Sequence, residues 1–357
     1  MTTTTFPALP LVDGHLDLAE NVTLFGRDLT RGVSLIRQKE KRQRAQAMVS
    51  LPELARGEIA VTFATVTGGF KVEDVGKDFQ PASAIYHNQQ EAQAHALKQL
   101  ELYEHWEHLG LIRIIRSVTD LEHHLQLWQT DRVLGVVLLM EGADPIVEVN
   151  DLRRWWQRGL RMIGLTFGDT RYGVGVGSGN RVPKTGGLTP EGLGLLEAMA
   201  EQGFIWDISH LSEAAIYQGL AMGYETVCAS HANARALIPT DRHLSDEIIR
   251  VVASRGGVIG LVLYDGFLEP SWYQNRGIPV TLAEHLTRQA DYVAKLVGWQ
   301  HIGIGSDLDG GFGLEESPEE LDTIADLYTA GNHLPTAVRD QVLSTNWLDF
   351  LRRSLPG

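Results

Sequence analysis

The chain has 357 residues, 43% hydrophobic and 21% charged, close to globular averages, which excludes a disordered or fibrous protein. Forty-five acidic against 31 basic residues leave a formal charge of −14, which disfavours nucleic acid and anionic membrane surfaces as partners and points to a small-molecule substrate. The one cysteine, Cys228, excludes an internal disulfide and a thiolate metal site, so any metal must be held by His and carboxylate.

The N-terminus, MTTTTFPALP, lacks the basic start and apolar stretch of a secretory signal, and no run of about 18 apolar residues follows anywhere. A cytoplasmic protein is expected. The first apolar run ends in Val12-Asp13-Gly14-His15-Leu16-Asp17, where an imidazole and a carboxylate two residues apart share one face of a strand. Arg37 to Arg44 is basic and reads as a solvated face or loop.

Ile59 to Val66 is a continuous β-branched run, the mark of a strand buried on both faces. A helical pattern covers Ala82 to Leu109, and a second buried run, Val133 to Glu141, ends on a carboxylate. Alternation is regular from there. A short helix, Leu152 to Arg158, precedes the strand Leu160 to Phe167 and a long Gly-rich loop over residues 168–187. That loop lacks the Gly-Lys-Ser/Thr of a phosphate loop and reads as a cover over a site.

Thr189 caps a helix running to about Gln202, with Pro190 in its first turn. The strands Phe204 to His210 and Thr226 to His231 follow, with a helix from Ser212 between them. Another helix opens at Leu244-Ser245-Asp246-Glu247, before the strand Gly256 to Leu263. Thr281 to Val297 gives the longest helical pattern, His301 to Asp307 the last strand, and Leu321 to Leu355 two helical pieces. Eight buried runs, most separated by helices, predict a single (β/α)₈ TIM barrel over residues 1–357 with C-terminal helices. A doubly wound open sheet is the alternative, but its Gly-rich dinucleotide turn is missing.

Catalytic groups of such barrels sit at the C-terminal ends of strands. His15 and Asp17 end the first strand, Glu141 the third, His210 the fifth, His231 the sixth and Asp307 the eighth. Three imidazoles with several carboxylates suit zinc, with manganese, cobalt or iron as alternatives. One zinc needs only three protein ligands, so the surplus points to two ions, with Glu141 as the natural bridge. Two ions about 3.5–4 Å apart hold a hydroxide and polarise a carbonyl together, which makes hydrolysis the expected reaction. Asp307 is left to move protons, from the attacking water to the leaving nitrogen.

In their order, DGHLDL, LMEGAD, GGLTPEG, WDISH, CASHANARAL, RHLSDE and IGIGSDLDG resemble the membrane dipeptidase (renal dipeptidase) family of metallopeptidases, within the amidohydrolase superfamily. The likeness runs from Asp13 to the Asn-Trp-Leu at residues 346–348. It implies one zinc held by His15, Asp17 and Glu141, and a second held by Glu141, His210 and His231. It further implies cleavage of dipeptides, often with a D-residue at the C-terminal position. Arg242 falls at the family's substrate-carboxylate arginine, and a bidentate guanidinium beside the metals suits that task. Asp307 matches the aspartate near the amine and scissile nitrogen. Relatives are commonly homodimeric.

Two departures stand out. Phe167 replaces the histidine that follows Leu-Thr at the end of the fourth strand, and Gly142-Ala143-Asp144 replaces Gly-Gly-His. Arg171 or Tyr172, on the same loop as Phe167, is the expected stand-in for the lost imidazole. The change also admits another C–N bond as target, in an N-acyl amino acid or a cyclic amide. A barrel that binds without catalysis is the third reading.

Overall fold

The computed structural model describes residues 9–40, 45–71, 84–177 and 184–357. Eight parallel strands form the ring: β1 (Leu11–Leu16), β2 (Ile59–Thr67), β3 (Leu134–Glu141), β4 (Leu160–Gly164), β5 (Ile205–Asp207), β6 (Val227–Cys228), β7 (Ile259–Leu261) and β8 (Ile302–Ile304). Asp13 pairs with Ile304 to join β8 to β1, and an Ala229–Ile259 bridge carries β6 to β7 and closes the circuit. This is the expected barrel. A ninth strand, Ile112–Ile114, pairs with the first half of β3, and β4 takes over from Leu138 onward. Three residues with Arg113 at the centre leave too little apolar pattern to mark a strand in the sequence.

Side-chain alternation sorts the strands into two layers. Val137 and Leu139 of β3, Val61 and Phe63 of β2, Ile205 of β5 and Cys228 of β6 pack together in one cluster inside the ring. Ile163, Trp206, Leu138 and Met140 belong to the other, between sheet and helices. The inner parity, carried forward by twos, reaches Glu141, Thr65, Asp207 and Ser230, so the pleat that fills the barrel also delivers polar groups to its mouth. Trp347, on the helix Asn346–Ser354, plugs the opposite end, with its indole N–H donated to the Ile304 carbonyl at 2.9 Å. Cys228 is fully buried and burial holds its thiol well above the usual range, which suits a small hydrophobe.

The caps fall where the sequence put them: Thr189, Ser212 and Ser245 each accept the backbone N–H three residues on, opening Pro190–Gln202, Glu213–Ala221 and Asp246–Ser254. Two helical expectations change. The longest helix is Gln89–His108, 20 residues capped by Asn88, whereas Thr281 opens a π turn (Leu282–Leu286) continued by Thr287–Val297. Ile85–Tyr86, inside the expected first helical stretch, instead pairs with Phe70–Lys71. Part of the basic segment closes the helix Val33–Glu40, where Arg37 bonds Ala47 and Asp322; residues 41–44 lie outside the described residues, as do 178–183 of the Gly-rich loop. Among the described residues no helix is long and apolar enough to cross a membrane.

Candidate metal centre

The residues singled out at strand ends converge. His15 is the last but one residue of β1, Glu141 the last of β3, and His210, His231 and Asp307 each lie three residues past the end of β5, β6 and β8. Asp17 lies just beyond β1, which ends at Leu16, in the turn into the helix Leu18–Thr23, so it reaches His15 around a corner rather than by strand alternation. His210 and Asp307 hold left-handed backbone (φ 63° and 60°), as does Asp309 (φ 67°). Such conformations in non-glycine residues are costly and concentrate at functional sites.

Glu141 is the hub. Its Oε1 lies 3.6 Å from His15 Nε2, 3.4 Å from His210 Nε2 and 3.5 Å from His231 Nε2. Asp17 Oδ1 stands 3.6 Å and Asp307 Oδ1 4.0 Å from His15 Nε2. Three buried trios have ligand atoms within 4.8 Å of one another: His15, Asp17 and Glu141; Glu141, His210 and His231; and His15, His231 and Asp307.

The far side of each ring fixes its tautomer. The His210 Nδ1–H donates to the Val176 carbonyl (2.9 Å). Ser230 serves the other two: its hydroxyl donates to Asp207 Oδ2 (2.5 Å) and accepts from Nδ1 of His231 (2.8 Å) and of His15 (3.3 Å). With its one proton given to the carboxylate, the hydroxyl can only accept from the two rings; Ser209 Oγ also lies 3.3 Å from it. Gly260 and Gly305 make room for this residue, since a Cβ on either would come within 2.0 and 1.9 Å of the Ser230 carbonyl oxygen. Asp13 plays a parallel part, accepting from the N–H and hydroxyl of Ser306 to brace β1 against the loop after β8. None of these supports was picked out from the sequence, although Asp207 and Ser230 stand beside the histidines in WDISH and CASH.

With each Nδ1 engaged as a donor, the Nε2 lone pairs of His210 and His231 face one another at 2.9 Å, with Arg242 Nη2 donating to that of His210 from 3.1 Å, and the buried Nε2 of His15 has no hydrogen-bond partner. One guanidinium N–H leaves the lone pairs of His231 and His15 unmatched, and these need further positive charge. Protons fill the need in part: burial pulls His15 down, yet Glu141, Asp17 and Asp307 together raise it to about 10. Burial pushes Glu141 up to about 8 and Asp307 to about 7, with neighbouring carboxylates adding to both. Burial and the charge of Arg242 hold His210 low, while burial and the charge of His15 do the same for His231, so both stay neutral and ready to ligate. The donor set, its deprotonated nitrogens and its surplus of acid fit divalent cations. Replacing Ser230 with Ala should weaken metal affinity about 10–100-fold by freeing two ligating rings. Chelator competition measures it, and unchanged affinity would deny Ser230 that part.

A cavity of about 430 Å³ opens over this cluster, walled by Phe25, Phe70, Phe167, Tyr264, Phe267 and Phe312. Arg242, 2% exposed, lines it; its Nη2 donates to the His231 carbonyl (3.0 Å) and lies 3.1 Å from His210 Nε2, while Nε and Nη1 are buried without partners. Phe167 stands edge-on to His210 with ring centroids 5.2 Å apart. The expectation for Arg171 and Tyr172 is corrected: both side chains leave the cavity. The Arg171 guanidinium donates to Gln89 Oε1 and the Val147 carbonyl, and the buried Tyr172 hydroxyl donates to the Ile146 carbonyl. Asp144 accepts from the Arg171 backbone and the Tyr86 hydroxyl and so ties this loop down. Among the described residues, only Gly168 and Gly177 of that loop line the cavity.

A parallel barrel whose mouth gathers imidazoles and carboxylates around one central glutamate has the make-up of a metal-dependent hydrolase. The sequence model of the membrane dipeptidases, peptidase family M19, matches residues 4–348, and the chain belongs to that family, the dipeptide-cleaving metallopeptidases. It is 32% identical over 252 residues to the Klebsiella pneumoniae "Uncharacterized protein in pqqA 5'region", covering 68% of this chain and 89% of that one. Its fold matches the crystal structure of dipeptidase AC, a metallopeptidase (TM-score 0.77, 22% identity, 98% and 99% of the two chains). It also matches a Rhodobacter sphaeroides metallopeptidase bound to a phosphinate mimic of the dipeptide L-Ala-D-Ala (TM-score 0.76, 21% identity, 97% and 99%).

Proposed function

We propose that the chain is a binuclear zinc dipeptidase that accepts a D-residue at the C-terminal position. The observation that carries this reading is Glu141 Oε1, within 3.6 Å of three imidazole nitrogens drawn from three different strand ends. His15, Asp17 and Glu141 would hold one ion, and Glu141, His210 and His231 the other. Bound there, paired divalent cations supply Lewis acidity and an acidified water able to attack a carbonyl at neutral pH.

The remaining tasks fall to side chains. Arg242, buried in the cavity wall with Nε–H and Nη1–H unpartnered, is the cation left to hold a substrate carboxylate, and the aromatic walls keep bulk water from the scissile bond. Asp307, which burial brings up to about 7, is matched to take a proton and return one to the departing amine near neutral pH. The acceptance of a D-residue is supported by the ligand of the Rhodobacter relative. Phe167 favours a second reading, hydrolysis of an N-acyl amino acid or cyclic amide, because it removes a polar contact at the reacting carbonyl. A cytoplasmic location and a homodimer complete the proposal, tested by fractionation and light scattering.

Metal analysis together with a panel of L,L- and L,D-dipeptides and N-acyl amino acids decides. About two equivalents of zinc and turnover of dipeptides support the proposal; turnover of the N-acyl compounds alone replaces it with the second reading. Arg242→Lys should raise KM for dipeptides about 10–100-fold with little change in kcat, since a point charge cannot replace a bidentate fork. Steady-state kinetics checks it.

A further inference from the structure

One buried acid in the cavity has no task in the scheme above. Glu20 sits on the helix Leu18–Thr23, three residues beyond Asp17, and is 7% exposed. It lines the cavity together with Asp17, Glu141 and Asp307. Its carboxyl makes no hydrogen bond and no ion pair among the described residues. Arg27, the buried cation nearby in sequence, is committed to Glu40, Asp309 and Asn21. An acid left in that condition inside a substrate cavity is a cost unless the bound state supplies a cation.

The placement of the two unspent charges has a direction. Glu20 follows β1, in the helix that begins directly after His15 and Asp17. Arg242 follows β6 and touches the His210–His231 side. A free dipeptide is a zwitterion with its ammonium at one end and its carboxylate at the other, and its scissile carbonyl lies between them. The cavity offers an anion and a cation in the same order, with the ligand cluster between. An ammonium brought beside a cluster meant for divalent cations also needs a compensating anion close by.

We propose that Glu20 is the receptor for the free α-ammonium of the substrate and so restricts the site to unblocked dipeptides. This rests on the dipeptidase reading and deepens it. It separates two duties, because an ammonium held by Glu20 leaves Asp307 free for proton transfer.

The test uses metal-loaded wild-type protein, Glu20→Gln and Glu20→Asp, with two phosphinate analogues of Ala-Ala. One carries the amino group and the other a hydrogen in its place. Calorimetry should show Glu20→Gln binding the amino compound about 10–100-fold more weakly, the scale of one hydrogen bond between charged groups. Binding of the amine-free compound should change by less than about two-fold, and Glu20→Asp should recover part of the loss. The same split should appear in KM for L-Ala-D-Ala against KM or Ki for N-propionyl-D-Ala. Equal losses on both analogues, or none on either, would overturn the proposal, the former showing that Glu20 merely shapes the metal cluster. Failure of the wild type to bind the amino analogue or to cleave any dipeptide would instead overturn the dipeptidase reading beneath it.

Discussion

Glu141→Gln should lower kcat/KM on dipeptides by about 10³-fold or more and reduce metal content from two equivalents toward one. The expectation follows from the hub geometry: Oε1 is the only atom shared by both proposed ligand trios, and Gln offers a neutral, weaker donor in the same shape. Lewis-acid stabilisation by a metal is worth several kcal/mol, and each 1.36 kcal/mol is a factor of ten, which sets the scale. A second readout avoids activity altogether. In metal-free protein the folded-state pKa of Glu141 is raised to about 8, mainly by burial. The stabilising contribution of its neutral form is therefore complete below the unfolded value of about 4.3 and drains away as pH rises toward 8. Gln never ionises and suffers no such drain. Thermal melts of chelator-treated protein should show the variant gaining on the wild type between pH 5 and pH 8. Metal binding to the wild type should also release about one more proton than binding to the variant at pH 7, read by calorimetry in two buffers. A variant that keeps two equivalents and full turnover would remove Glu141 from the bridge.

The barrel was legible because a parallel strand buried on both faces writes itself as an unbroken apolar run, and the ligand-type residues were legible because such runs end on them. Glu141 is the clearest case: VLGVVLLME needs no partner in sequence to be read as a strand that terminates in a carboxylate. The short strand Ile112–Ile114 left too little pattern, and Ile85–Tyr86 was absorbed into the long helical stretch that follows it. The supports of the site were opaque for a different reason. Ser230 orients His15 across 215 positions of sequence, and nothing local to either residue announces the contact. Glu20 carries no motif at all; only its place beneath the cavity gives it meaning. Arg171 and Tyr172 show the reverse error. Their loop leaves the correct strand, but side-chain direction along a loop has no period, and both turn outward to fasten it. Phe167 is part of the cavity wall.

Asp307→Asn should lower kcat about 10²–10⁴-fold while leaving metal content and KM nearly unchanged, the range expected for loss of a general acid–base group. The substitution is mild on the backbone, because Asp307 sits at φ 60°, where Asn is among the few residues that rest comfortably. Geometry allows a rival role: Asp307 joins His15 and His231 in a trio whose atoms lie within 4.8 Å, so it can ligate as well as move protons. The two roles separate cleanly. A ligand converted to Asn costs metal, and chelator competition would show weaker binding in proportion to lost activity. A proton carrier converted to Asn keeps its metal and loses a limb of the pH–rate profile. With the wild-type carboxyl raised by burial to about 7, kcat should fall as pH drops below neutrality because the carboxylate that accepts the first proton is titrated away. That acidic limb should flatten in the variant. Retention of the limb with loss of metal would move Asp307 from the proton path into the ligand set, and leave the departing amine to be protonated by another group.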